Sequence, residues 1–129
     1  MAKIVDANII IRFLVGDIPD KVRKITRLFQ EKEKLILTDV TVAEIVWVLS
    51  SYYKQGKEEI TEEILSLIEL PVIVSNKSLI TKAISYFREH NIDYIDAYLI
   101  SFTQENDDEG VLSYDKSIDK VKGIKSSEP

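Results

Sequence analysis

The chain has no cysteine, and only one histidine, one tryptophan, three prolines and four glycines among its 129 residues. Without cysteine there are no disulfides, no thiolate nucleophile and no thiolate metal site. The single histidine, His90, argues against a His-ligated zinc centre. It stands beside Asn91 where a helical pattern ends, a place that suits a cationic or solvated side chain. No apolar run approaches the ~20 residues that span a bilayer. Met1-Ala2-Lys3 leads straight into a strand pattern with no room for a signal peptide, so a soluble, cytoplasmic protein is expected. Repeats, low-complexity tracts and Ser/Gly linkers are missing too, which limits expected disorder to residues 125–129. The length suits one domain over residues 1–129 with a real core.

Basic residues are also in the minority. The net charge of −5 argues against a nonspecific nucleic-acid binder held by a basic face, and any phosphate contact needs a local patch. Arg12, with Lys21, Arg23, Lys24 and Arg27, is the candidate RNA contact, although such residues also suit the solvated face of a helix.

Four acids, by contrast, stand where charge is unwelcome. Asp6 lies in Lys-Ile-Val-Asp-Ala-Asn, Glu44 in Val-Ala-Glu-Ile-Val, Asp96 in Tyr-Ile-Asp-Ala-Tyr and Asp115 in Val-Leu-Ser-Tyr-Asp. Carboxylates gathered in such surroundings repel by roughly 4 kcal/mol per pair at ~4 Å and an effective dielectric of ~20. A hard divalent cation compensates them best. Mg²⁺ and Mn²⁺ prefer oxygen ligands and leave positions for water and phosphate, which points to phosphodiester chemistry.

The hydrophobic pattern supplies a scaffold. Short apolar runs at 3–5, 35–37, 72–74 and 111–113 read as strands, and helical spacing follows each of the first three. Gly16-Asp17-Ile18-Pro19 breaks the first helical stretch, and Pro71 stops a later one. The segment from Thr41 to Tyr53 is apolar almost all round. It is expected to be buried on most sides, with Glu44 on a narrow polar stripe and enough apolar surface left for a homodimer interface. Strands alternating with helices imply a parallel sheet covered on both faces, an α/β/α sandwich. Ligands of such sheets collect beyond the carboxyl ends of the strands, where all four acids can be held.

Each acid also has an ordinary explanation. Asp6 can make an Asx turn, Glu44 can be a first-turn acid, Asp96 can occupy N3 of a helix capped by Asp93, and Asp115 can start a turn. The shared sheet edge favours one site over four accidents. Asp107, Asp108 and Glu109 read instead as a solvated loop.

The order Val5-Asp6-Ala7-Asn8, Thr41-Val42-Ala43-Glu44, Asp93-Tyr94-Ile95-Asp96-Ala97 and Ser113-Tyr114-Asp115 resembles the PIN-domain family, in particular the small single-domain toxins of VapC type. The resemblance covers essentially the whole chain and implies a three-layer α/β/α sandwich with a central parallel sheet. It also implies an endoribonuclease dependent on Mg²⁺ or Mn²⁺. Asp6, Glu44, Asp96 and Asp115 would form the catalytic and metal-binding quartet, with Asp93 as an auxiliary acid and Asn8 and Ser113 as hydrogen-bonding supports. Asp119 matches an acid present in some relatives and not in others. The resemblance further implies a homodimer and a separate antitoxin protein. The competing readings are a non-catalytic PIN-like scaffold that binds RNA or protein, and a phosphotransfer domain. Against the latter, dehalogenase-like phosphatases need Asp-x-Asp where this chain has Asp6-Ala7-Asn8, and a receiver domain needs paired acids after its first strand.

Overall fold

The computed structural model describes residues 2–106, 110–121, 123–124 and 126–129. Asp107, Asp108 and Glu109, read above as a solvated loop, lie outside the described residues. The chain forms two compact units, Met1–Asn76 and Lys77–Pro129.

The first unit is built on three very short parallel strands, β1 (Lys3–Ile4), β2 (Leu35–Ile36) and β3 (Ile73–Val74), in the order β1-β2-β3. Lys3 pairs with Leu35 and Leu35 with Ile73, so β2 is central. Between β1 and β2 run α1 (Ala7–Val15) and α2 (Pro19–Gln30), and between β2 and β3 run α3 (Asp39–Ser51) and α4 (Lys57–Ile68). Both connections are the helical crossovers that parallel pairing demands. α1 packs on α2 and α3, and α3 packs on α4. Ile10, Ile45, Leu49, Ile60 and Ile64 meet there fully buried. Each such aliphatic side chain contributes about 1.5–3 kcal/mol of transfer free energy.

Local chemistry sets the helix ends. Pro19 occupies the first turn of α2, where its missing N–H costs nothing. Thr38 caps α3, its hydroxyl accepting the Thr41 N–H at 3.2 Å. α3 therefore begins at Asp39, two residues before the expected start, and Glu44 falls in its second turn; the first-turn acid is Asp39. The expectation that α3 is buried on most sides is also corrected. Val42, Ile45, Val46 and Leu49 are buried, whereas Val40 and Trp47 are 79% and 65% exposed. At 100° per residue Val40, Glu44, Trp47 and Ser51 share one stripe, so the open face of this apolar helix carries the acid at its middle.

The second unit contains α5 (Lys77–Glu89), α6 (Tyr94–Glu105), β4 (Val111–Leu112), a 3₁₀ turn at Lys116–Lys120 and β5 (Ser126–Ser127). Leu79, Ile80, Ala83, Ile84 and Phe87 of α5 are all buried, as their spacing predicts. Within α6, Ser101 and Thr103 are buried and give their hydroxyl protons to the carbonyls of Ala97 and Leu99, at 2.9 and 2.8 Å. The disorder expected at the chain end is overturned at Ser126–Ser127, which pair in parallel with Val111–Leu112. The reason is Asp119. Its carboxylate accepts the Ser126 N–H at 2.6 Å and the Ser126 hydroxyl at 3.2 Å, fixing a segment that composition alone marks as loose. Among the described residues no helix is long and apolar enough to cross a membrane.

Gly16 closes α1 in the left-handed conformation, φ 69°, and its N–H donates to the Arg12 carbonyl at 3.0 Å. No atom lies within 4 Å of where a Cβ would stand, so substitution there costs backbone energy alone. Gly16→Ala is expected to lower the unfolding free energy by about 1 kcal/mol. Urea titration measures this, and an unchanged midpoint would contradict the cap.

Candidate metal centre

In the first unit Asp6 follows β1 by two residues and is the N-cap of α1, its backbone extended and its Oδ1 accepting the Ala7 N–H at 2.8 Å. This is the local capping bond that its sequence context allows. Glu44 is exposed on the open face of α3. Since α1 follows β1 and α3 follows β2 in a parallel sheet, Asp6 and the N-terminus of α3 stand at the same, carboxyl edge of the sheet.

In the second unit Asp93 holds the N-cap position of α6 but makes no capping hydrogen bond with its side chain. The expected Asp93 cap is therefore positional only. Asp96 lies in the first turn of the same helix. Asp115 begins the 3₁₀ turn, where its Oδ1 accepts the Ser117 N–H at 2.8 Å, while its own N–H donates to the Ser113 hydroxyl at 2.9 Å. Ser113 thus fixes the backbone that presents Asp115. The Ser117 contact is the turn that Asp115 was expected to start.

Asp96 and Asp115 lie close enough for each to shift the other's titration. Partial burial raises the Asp96 carboxyl above its usual range, and the charges of Asp115 and Asp93, together with a hydrogen bond to Asp115, raise it further. Asp115 moves the other way, held down mainly by its hydrogen bonds with Ser117 and then by Lys120 and Asp96. The two carboxyls therefore titrate apart, Asp96 above and Asp115 below the usual carboxylate range.

Of the four expected quartet members, two fall in each unit, and the structure brings Asp96 and Asp115 together. Within neither unit, among the described residues, do three His, Asp or Glu side chains form a group that could hold a metal ion. The apposed pair nonetheless fits a hard divalent cation. Its donors are all oxygen, Asp93 adds a third negative charge nearby, and Mg²⁺ is commonly held by one or two carboxylates with water and phosphate completing the shell. Asp119, the uncertain member, is occupied by Ser126. Arg12 is engaged as well: its Nη1 donates to both oxygens of Asp17, at 3.0 and 2.9 Å, and that contact raises the guanidinium pKa.

The PIN domain family model matches residues 3–124, running through both units. The chain belongs to the PIN domain family. PIN domains are in general nucleases that use divalent metal ions and act on RNA. The mixed α/β architecture, with six α-helices and parallel strands among the described residues, was expected from the alternating pattern and agrees with that family's fold. No individual curated protein matches the chain.

The charge apposition has a measurable cost. The folded-state pKa of Asp96 lies above its unfolded value, so the protonated carboxyl favours the fold and this contribution is lost as pH rises through the folded pKa. With EDTA present at pH 7, Asp96→Asn is expected to melt above wild type, and the difference should close as pH falls toward ~4, where the unfolded carboxyl also gains a proton. A variant that melts lower at pH 7, or a gap that persists in acid, would contradict the apposition.

Proposed function

We propose that this protein is a metal-dependent endoribonuclease that hydrolyses RNA phosphodiester bonds, and that it is the toxin of a toxin-antitoxin pair of VapC type. The observation that carries the nuclease reading is the Asp96–Asp115 apposition in a chain that belongs to the PIN family and retains all four acids. We read residues 1–129 as one PIN-like domain, supported by a family match that spans both units.

In this reading Asp6, Glu44, Asp96 and Asp115 are the catalytic and metal-holding acids, Asp93 assists them, and Asn8 and Ser113 support them. A bound Mg²⁺ or Mn²⁺ supplies charge compensation, an activated water and an electrophile for the phosphate. The protein's part is to hold carboxylates at fixed positions. Ser113 and Ser117 lock the backbone and one oxygen of Asp115. Asp96 is fixed by the first turn of α6, whose dipole favours an anion there. No histidine base is required. Water attack with departure of the 3′ oxygen leaves 5′-phosphate and 3′-hydroxyl ends.

A second reading, a PIN-like scaffold that binds RNA without cutting it, is favoured by the lack of a three-acid group within either unit among the described residues. Cleavage separates the two. With a labelled RNA, wild type is expected to cut in Mg²⁺ or Mn²⁺ and not in EDTA. Asp6→Asn, Glu44→Gln, Asp96→Asn and Asp115→Asn should each lose on the order of a hundredfold or more in rate while staying folded. Robust cleavage by Asp96→Asn, or cleavage that EDTA leaves unaffected, would defeat the nuclease reading.

The protein is proposed to form a homodimer that covers part of α3, because Val40 and Trp47 remain exposed on an otherwise packed apolar helix. An antitoxin is proposed to place Arg or Lys against the acids, where a guanidinium can substitute for the metal's charge. Light scattering should show a dimer for wild type and a monomer for Trp47→Glu. A wild type that is monomeric at high micromolar concentration would remove the interface.

A further inference from the structure

We propose that the groove between α1 and α2, lined by Asn8, Ile9, Arg12, Lys21, Lys24 and Ile25, holds a backbone phosphate of single-stranded RNA. The proposal rests on the nuclease reading and adds to it a place for the substrate beyond the acids. The groove encloses about 430 Å³, and no acid is among its lining residues. It lies wholly within the first unit.

What distinguishes the groove is that Arg12, Lys21 and Lys24 share one concave lining without an acid. Outside the groove some cations are paired, Lys3 with Glu33, Arg23 with Asp20 and Lys116 with Glu128, and others, such as Lys32 and Lys54, stand singly on the exposed surface. Lys34 and Lys120 donate to the carbonyls of Pro71 and Asn91. Lys21 and Lys24 make no ion pair or hydrogen bond among the described residues, yet they are exposed and three apart on α2, where like charges repel. Arg12 joins them with one nitrogen committed to Asp17 and further N–H donors uncommitted by that contact. Asn8 adds a neutral amide. Cations gathered in a concave site without a carboxylate are the complement of a phosphodiester.

Position favours the RNA backbone over a free anion. Asn8, Ile9 and Arg12 ride on α1, whose N-cap is Asp6. At 1.5 Å of rise per residue Arg12 is roughly 9 Å along the axis from Asp6. A phosphate seated against Arg12, Lys21 and Lys24 is thus a short step along a strand from one that reaches Asp6. Ile9 and Ile25 give the groove an apolar floor against which a ribose or base can lie.

The test measures binding and cutting separately. Affinity for a labelled single-stranded RNA is taken across a salt series with EDTA present, for wild type, for Lys21→Gln with Lys24→Gln, and for Lys32→Gln with Lys54→Gln as exposed lysines outside the groove. The groove pair should weaken binding on the order of tenfold near physiological salt and reduce the log–log salt slope by about 1.4, since each single-strand phosphate contact contributes ~0.7. In Mg²⁺ or Mn²⁺ the same pair should raise KM while kcat is retained. Wild-type affinity and slope in the groove pair, with wild type still cutting RNA, would overturn the groove and leave the nuclease reading standing. An equal loss in the control pair would also overturn it, as a net-charge effect. Lysine-dependent binding by a wild type that never cuts would uphold the groove and defeat the nuclease reading.

Discussion

The first unit depends on one ladder. Leu35 and Leu37 donate to the carbonyls of Val72 and Val74, while Lys3 and Val5 donate to those of Lys34 and Ile36, all at 2.8–3.0 Å. With strands only two residues long, the sheet has almost no length over which to slip. A shift of one residue would turn Leu35 and Leu37 outward and bring Ile36 in, exchanging two buried leucines for one isoleucine. The register therefore fixes where each strand ends, and with it where Asp6 caps α1 and where Thr38 starts α3. The proposed site residues of this unit are thus placed by backbone hydrogen bonds in which their side chains take no part.

In the second unit electrostatics work against stability. Asp96 and Asp115 gain nothing from each other while both are ionised, and Asp93 adds to the repulsion. A chain selected for stability alone has little reason to put a partly buried carboxyl opposite another. Hydrogen bonds from Ser117 to Asp115, and from Asp115 to Ser113, hold the second carboxylate in place despite the repulsion. Structural strain of this kind is common where a ligand later relieves it.

Sequence periodicity made the strand positions and the core face of α5 legible, because burial at Leu79, Ile80, Ala83, Ile84 and Phe87 follows directly from helical spacing. The apolar neighbours that singled out Asp115 in the sequence proved exposed, Leu112 at 68% and Tyr114 at 75%, so sequence context did not report the burial of this acid. What remained hidden depends on contacts between residues far apart or on geometry that composition does not encode. Asp119 stabilises Ser126 across a turn, so the end of the chain looked loose when it is paired. The open stripe of α3 was hidden for another reason. Nearly every position is apolar, and the pattern alone does not say which side meets the core.

That stripe also constrains how the proposed dimer and the proposed role of Glu44 can coexist. Val40 and Trp47 flank Glu44 on one face, within one helical turn on either side. A second copy that covered the whole stripe would bury Glu44 as an unpaired charge, at a cost of several kcal/mol, and remove it from substrate. A dimer of the kind proposed would then have to meet α3 past Glu44, through Trp47, leaving the turn around Val40 and Glu44 open.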